Sequence, residues 1–302
     1  MSFTVISIGY AVPTQDFDAA VHSAFQSALN LRLRGEERLL TLLASSGGDL
    51  PQGIRLNTPK DFSFEEIQAG EAVRCRDGIL HFETGSLAIQ LNGARRWKCN
   101  LPALGFDPTN PSISAAWGFV WETLNERQWL TGSEIVAEDL FRLSESARPG
   151  ISRRFGEAMR DLLHATQRYK VPNTSAVASL IGLGPGLTPS GDDLLVGYLA
   201  GLWCAVRDRS ERTQFISSLG EMIIQLLHKT IDISRTYLYH AAHGQVSSHL
   251  ANLAEAICRG GDPNYLHETA ETALRVGHTS GMDSVSGLLV GLRAWEGNPL
   301  RK

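Results

Sequence analysis

One stretch, Gly182-Leu-Gly-Pro-Gly-Leu-Thr-Pro-Ser-Gly-Asp-Asp193, runs directly into the apolar segment Leu194–Val206. The segment has helical spacing, and Ser190 stands where a helix N-cap belongs. Asp193 follows three residues later, as in a capping box. The glycines let several backbone N–H groups converge in front of the helix, where the helix dipole adds positive potential. The stretch therefore predicts a loop-to-helix junction that holds an anion or a developing oxyanion.

A second copy of this pattern, Gly277-His-Thr-Ser-Gly-Met-Asp283, precedes an apolar segment at 284–295. Both copies share the pattern S-G-x-D-x-x-x-G-x-x-x-G. Its positions are Ser190, Gly191, Asp193, Gly197 and Gly201 in the first copy, and Ser280, Gly281, Asp283, Gly287 and Gly291 in the second.

Glycines four residues apart lie on one face of a helix and let two backbones approach closely. The repeat predicts two equivalent helices packed together, with their glycine-rich N-termini near each other. Two such termini facing one pocket would suit a substrate with two anionic ends. In the alternative interpretation, the glycines of the second copy serve only helix packing.

Outward from these motifs, the chain changes character at residues 106–112, which contain two prolines. Downstream segments have helical spacing, whereas upstream segments are short, partly alternating and separated by turn signals such as Arg76-Asp77-Gly78. We predict an α+β protein with a β-rich domain over 1–108, barrel-like or sandwich-like, and an all-helical domain over 109–302. Residues 20–33 are compatible with either helix or strand.

Composition excludes several classes of protein. The net charge of −4 and the pI near 6.1 leave no electrostatic footprint for nucleic acid or an anionic membrane. No run of 18 apolar residues predicts a membrane span, and the N-terminus has no basic region typical of a signal peptide. The four cysteines form no C-x-x-C pair, which argues against a zinc knuckle. We therefore predict a cytoplasmic protein with reduced thiols.

Further candidate side chains lie between the two glycine motifs, in Ser234-Arg235-Thr236-Tyr237-Leu238 and the following Ala241-Ala242-His243-Gly244. Arg235 is suited to bidentate binding of a carboxylate or phosphate, or to a surface salt bridge. His240 and His243 share a helix face, but no third zinc ligand accompanies them, so a polar or packing role is favoured. His278, in the second motif, is an oxyanion donor or proton shuttle, or bonds a carbonyl.

Asp192 and Asp193 raise the question of a metal, because Mg²⁺ favours carboxylates beside phosphates. Adjacent residues at a helix start point in different directions, however. One aspartate acting as a cap and the other as a polar anchor is the favoured interpretation. We predict no cofactor and assign no metal ligand, with Mg²⁺ as the alternative.

Three motifs in this order, at 182–193, 234–244 and 277–287, resemble the AllH-like family. The segment from Leu29 through Leu42 also fits. The family's type member is a subunit of oxamate carbamoyltransferase in bacterial allantoin degradation, a branch of purine catabolism. The resemblance implies reversible carbamoyl transfer between carbamoyl phosphate and oxamate, with oxalurate as the carbamoylated species. It also implies partner subunits, an FdrA-like and an AllG-like protein.

Under that reading the residues receive hypothetical roles. Gly184, Gly186, Thr188 and Ser190 cradle the phosphate or the carbonyl oxygen, and Asp192 or Asp193 orients the loop or the substrate amide. The predicted catalytic residues are Thr188, Ser190, Asp192, Asp193 and His278. The predicted substrate-binding residues are Gly184, Gly186, Gly191, Ser234, Arg235, Tyr237, His243, Thr279, Ser280 and Asp283.

Two rival functions remain open. In the first, the chain is a non-catalytic subunit whose loops pack helices and dock partners. In the second, it is a Mg²⁺-dependent enzyme of a phosphorylated small metabolite that uses Asp192 and Asp193 as ligands.

Overall fold

The computed structural model describes residues 2–85, 87–131, 136–137 and 151–296, with backbone alone at 151–153. Internal contacts divide the chain into two compact units, Met1–Cys99 and Asn100–Lys302. The division falls ahead of the proline-containing segment 106–112. No helix in the described ranges is long and apolar enough to cross a membrane.

The first unit is built from short strands. In chain order they are β1 (Ser2–Gly9), β2 (Phe17–Ala24), β3 (Ala28–Leu33), β4 (Leu39–Leu43), β5 (Gly53–Leu56), β6 (Ala72–Arg76), β7 (Ile79–Phe82), β8 (Ala88–Gln90) and β9 (Arg95–Trp97). Residues 20–33, which the sequence left open, thus form most of a β2–β3 hairpin.

These strands close into a barrel of eight, with the order β5-β4-β3-β2-β6-β7-β8-β1. Closure comes from β1, which pairs antiparallel with β5 and parallel with β8. The ninth strand, β9, runs parallel to the second half of β1. Inward side chains such as Leu31, Ile54 and Leu80 are fully buried. The β-rich prediction is confirmed, and the barrel is the correct one of the two architectures.

The predicted turn at Arg76-Asp77-Gly78 joins β6 to β7. Asp77 and Gly78 have φ values of +50° and +75°, and Arg76 pairs with Ile79 across the turn. Two positive φ values match the twist of a two-residue hairpin. The sequence signal and the observed turn therefore agree.

The second unit is helical throughout its described part. Its helices are α1 (Pro111–Thr131), α2 (Ile151–Gln167), α3 (Thr174–Leu180), α4 (Ser190–Cys204), α5 (Ser210–Leu226), α6 (Asp232–Ala242), α7 (Ser248–Arg259), α8 (Pro263–Leu274) and α9 (Ser280–Arg293). The prediction of a helical C-terminal region is confirmed.

Helices α4 and α9 are the two copies of the glycine pattern, and their backbones touch. A Cβ at Gly197 would overlap the carbonyl oxygen of Ser284, and one at Gly287 would overlap that of Leu194. Further along, a Cβ at Gly291 would lie 3.1 Å from the Cα of Gly201. The predicted close helix pair is confirmed. Because the contacts advance along both helices together, the two N-termini lie at the same end of the pair.

Candidate functional site

The start of α4 differs from the prediction. Pro189, not Ser190, is the N-cap, and neither it nor Ser190 makes a side-chain capping bond. The Pro189 carbonyl instead accepts the N–H groups of Asp192 and Asp193 at 2.9 and 3.2 Å, and the Gly191 N–H donates to Leu183. The capping-box prediction is therefore wrong, because the N–H groups at the start of α4 donate to backbone carbonyls and not to the Ser190 side chain. The helix begins four residues earlier than expected, and the amides of Gly191, Asp192 and Asp193 are occupied.

The loop before α4 depends on its glycines. Gly182, Gly184 and Gly186 have φ values of +74°, +111° and +98°, which L side chains rarely adopt. A Cβ at Gly184 would also lie 2.9 Å from the Ser190 nitrogen. Within the described part of the chain, the N–H groups of Gly184, Gly186 and Thr188 donate to no other group. The loop therefore holds three N–H donors that have no acceptor in the described structure.

The two glycine motifs meet at their hydroxyl groups. The Thr188 Oγ1 lies 2.6 Å from the Ser280 Oγ, a hydrogen bond between the first loop and the start of α9. Both residues are half-buried. The prediction that the two motifs lie side by side is confirmed.

Below this contact, the aspartates of the two motifs are arranged crosswise. The hydroxyl of Ser280 acts on Asp193 of the first motif, whereas the hydroxyl of Ser190 acts on Asp283 of the second. Asp193 is 6% exposed and Asp283 is 1% exposed. The Oδ2 of Asp193 and both oxygens of Asp283 are buried without a hydrogen-bond partner of good geometry in the described structure.

Burial sets the protonation of these acids. It raises the pKa of Asp283 to about 6, although the hydroxyls of Ser190 and Thr279 act in the opposite direction. Burial raises the pKa of Asp193 well above its ordinary value, and the charges of Asp283 and Asp192 raise it further. Like charges that share a buried site cannot both ionise easily. Both carboxyl groups therefore keep their protons to a higher pH than exposed aspartates do.

Asp192, the neighbour of Asp193, points elsewhere. Its Oδ1 accepts the Gly182 N–H at 2.8 Å, and its Oδ2 accepts the hydroxyl of Thr230. Burial raises its pKa, and these bonds with the Ser234 hydroxyl oppose the shift. Asp192 thus ties the start of the glycine loop to the turn before α6, while Asp193 faces the other motif.

Helix α6 contributes Ser234 and Tyr237. Ser234 is fully buried near Asp192. Burial, followed by the charge of Asp193, raises the pKa of Tyr237 to about 12. The phenol therefore keeps its proton and is a hydrogen-bond donor beside Asp193.

Arg235 braces the turn that leads into α6. Its Nε donates to the carbonyls of Leu227 and Thr230 at 3.0 and 2.8 Å, and one terminal nitrogen pairs with Asp232 at 3.0 Å. The salt-bridge alternative is the one observed. Substrate binding by Arg235 stays a prediction that its present partners do not support.

The two predicted histidines differ in position. His278 is exposed in the second loop, beside Thr279. His243 caps the C-terminus of α6 and pairs with the Tyr239 carbonyl at 2.7 Å. Its neighbour Gly244 packs on Trp203, near the far end of α4. At 1.5 Å per residue this is about 20 Å from Ser190, so the structure does not bring His243 to the motifs.

Thr230 was not among the site residues predicted from the sequence. It has no local motif, and its partner Asp192 is 38 residues away. Among the described residues, no group of three or more His, Cys, Asp or Glu is placed to hold a metal ion.

Two family models match the chain. The AllH family N-terminal domain covers residues 5–96, which is almost the whole barrel unit. The model described as oxamate carbamoyltransferase subunit AllH covers residues 180–292, including both glycine motifs. The matches span most of the chain and confirm the resemblance. No solved structure matches it significantly.

Proposed function

Because the chain belongs to the AllH family, we propose that it binds the substrates of reversible carbamoyl transfer between carbamoyl phosphate and oxamate. The site is the junction of the two glycine motifs. The observation that carries this proposal is the Thr188–Ser280 contact of 2.6 Å, which brings both motifs together above Asp193 and Asp283. The family description, a subunit of oxamate carbamoyltransferase, supports the reaction class.

Carbamoyl transfer needs donors on the carbamoyl carbonyl, which becomes tetrahedral and gains negative charge. Donors preorganised at the place where charge develops are an effective form of catalysis. The N–H groups of Gly184, Gly186 and Thr188 meet this need, since no described residue occupies them. The hydroxyls of Ser190 and Thr279 lie between the two motifs, beside Asp283.

A phosphate leaving group usually binds a cation, and Arg235 is held by the turn before α6. We infer that a partner subunit supplies this cation. The word subunit in the family description supports an assembly. FdrA-like and AllG-like proteins are the partners we propose.

Calorimetry tests the proposal directly. Carbamoyl phosphate, oxamate and oxalurate are each titrated into wild type, Ser190→Ala and Ser217→Ala, with and without Mg²⁺. Ser217 is an exposed residue of α5, so its variant controls for loss of a hydroxyl. Losing a hydrogen bond to a charged group costs about 1.5–3 kcal/mol, which weakens binding roughly 10- to 100-fold.

The expected result is weakened binding to Ser190→Ala alone. If wild type binds no substrate, the titration is repeated with the partner subunits present. Wild-type affinity in Ser190→Ala, or no binding even in the assembled complex, would contradict the proposed site.

An assembly role is the second candidate, and one observation favours it. Leu187, at the tip of the first loop, is an apolar side chain that is 56% exposed. If the loop docks a partner, Leu187→Ser abolishes co-purification of the subunits. If the loop binds substrate, the complex still forms and the substrate dissociation constants change.

A further inference from the structure

We propose that Asp193 and Asp283 act as one proton-sharing carboxyl pair, which binds the amide group of the carbamoyl acceptor and accepts the proton released on transfer. This inference rests on the proposed function and assigns two catalytic residues to it. It also explains why the same aspartate recurs in both glycine motifs.

The arrangement of the two helices supports the pair. Asp193 and Asp283 occupy the same position of the repeated pattern, at the N-termini of two helices that point the same way. Each lies beside the serine hydroxyl of the opposite motif, Ser280 or Ser190. Helix packing through Gly197 and Gly287 therefore fixes the pair as a unit.

The state of the carboxyl oxygens also supports the pair. Three of the four, Asp193 Oδ2 and both of Asp283, are buried without a hydrogen bond of good geometry in the described structure, although the hydroxyls of Ser190 and Thr279 lie beside Asp283. A buried polar group without a partner costs free energy, and the cost is greater for a charge. Oxygens in this state favour a ligand that brings N–H donors.

The polar groups around the pair complement the reacting groups of carbamoyl transfer. The loop above the pair offers N–H donors from Gly184, Gly186 and Thr188, whereas the pair offers acceptors. An acceptor such as oxamate carries a carboxylate at one end and an amide at the other. The pair suits the amide end, and the loop donors suit the carbamoyl carbonyl that this amide attacks.

The charged and titratable surroundings support a shared proton. Asp193 on α4 and Asp283 on α9 form the pair, and the charge of Asp192 and the phenol of Tyr237 on α6 are close enough to interact with Asp193. Asp192 is held by Gly182 and Thr230, and burial keeps Tyr237 protonated. The charge of Asp283 acts on Asp193, and two carboxyls that interact in this way titrate as a pair that shares a proton. The pair then has one acceptor and one donor.

The transfer step balances on this pair. The amide nitrogen of the acceptor attacks the carbamoyl carbon, so that an N–C bond forms and the C–O bond to phosphate breaks. The ionised carboxylate takes the amide proton, and the protonated carboxyl gives its proton to the departing phosphate. The pair ends with one proton, as it began. General acid–base assistance of this kind contributes about 10²- to 10⁴-fold in rate.

The test compares Asp193→Asn and Asp283→Asn with Asp161→Asn, an exposed carboxyl on α2. Each is assayed for transfer in the complex with its partner subunits. We expect kcat to fall at least 100-fold in the first two variants and to stay unchanged in the third. Carbamoyl phosphate binding should change by less than threefold. Wild-type kcat in both pair variants would overturn the proposal.

A second readout requires no variant. Oxamate is titrated into the wild-type complex in two buffers of different ionisation enthalpy, at pH 6 and pH 8. The pair predicts proton exchange with the buffer that differs between the two pH values. Binding without proton exchange, or binding that requires Mg²⁺, would overturn it. If the wild-type complex shows neither binding nor transfer, the proposed function fails instead. Direct titration of the two aspartates still tests whether they share a proton.

Discussion

The two units bury carboxylates in opposite ways. In the barrel, Asp49 is 7% exposed and accepts the Ser7 hydroxyl at 2.5 Å, with Arg55 and Arg95 at 3.1 and 3.2 Å. In the helical unit, Asp283 is 1% exposed, no cation pairs with it among the described residues, and neither of its oxygens has a hydrogen bond of good geometry. A buried carboxylate that is paired with arginines contributes to the stability of the fold. An unpaired one costs stability, and it is retained where function requires it.

The largest expected effect concerns the helix pair that positions Asp283. Gly287→Ala places a Cβ 2.7 Å from the Tyr198 nitrogen and into the Leu194 carbonyl. Because backbone cannot yield as a side chain does, we expect a loss of about 3 kcal/mol or more in unfolding free energy. Thermal denaturation against Gly118→Ala measures it, since a Cβ at Gly118 meets nothing within 4 Å. Equal stability of the two variants would refute the close packing.

Replacing the two buried aspartates, Asp49 and Asp283, by asparagine should change the free energy of unfolding in opposite directions. Asp49→Asn leaves two arginines without their carboxylate and should destabilise the barrel by about 2–4 kcal/mol. Asp283→Asn removes a charge that burial disfavours, so the helical unit should gain roughly 1–3 kcal/mol at pH 8 while transfer is lost. Urea denaturation checks both values. A destabilised Asp283→Asn would show that the carboxylate is structurally paired after all.

The pH dependence follows from the raised pKa of Asp283, about 6. The folded state retains this proton when the unfolded chain has already lost it. Its contribution to stability is therefore present at low pH and is lost as the pH rises from about 4 to 6, by roughly 3 kcal/mol. The difference between wild type and Asp283→Asn should grow over that window and be constant above it. A difference that does not vary with pH would contradict the shift.

The smallest expected effect is at the contact between the motifs. Thr188→Val removes the hydroxyl that meets Ser280 and should cost about 1 kcal/mol. Thr213→Val serves as the control, because Thr213 is an exposed residue of α5. Hydrogen exchange of the loop amides should increase in Thr188→Val and not in the control. If hydrogen exchange of the loop amides does not change, the loops are held in place without the Thr188–Ser280 hydrogen bond.

Much of the fold could be predicted because its signals are local. The glycine spacing in α4 and α9 specifies a close helix pair, and Asp77-Gly78 specifies a hairpin. The choice between barrel and sandwich was not predictable, because alternating strands look the same in both. Closure depends on β1 pairing with β5 and β8, which are distant in sequence.

Only part of the site could be predicted, because local sequence signals identify residues but not their distant partners. The two motifs identified the residues, but not which aspartate faces the other motif. Ser190 looked like a cap because the pattern is local, whereas its hydroxyl acts on Asp283. Thr230 and the brace formed by Arg235 depend on a turn that no local pattern indicates.

The central claim is that Asp193 and Asp283 form one titrating unit at the substrate site. Carbon-13 titration of the aspartate carboxyls, assigned with the Asp283→Asn variant, tests it most directly when run with and without oxamate. We expect a midpoint near pH 6 for Asp283 that oxamate shifts by more than one pH unit. A midpoint near 4, unmoved by oxamate, would contradict it.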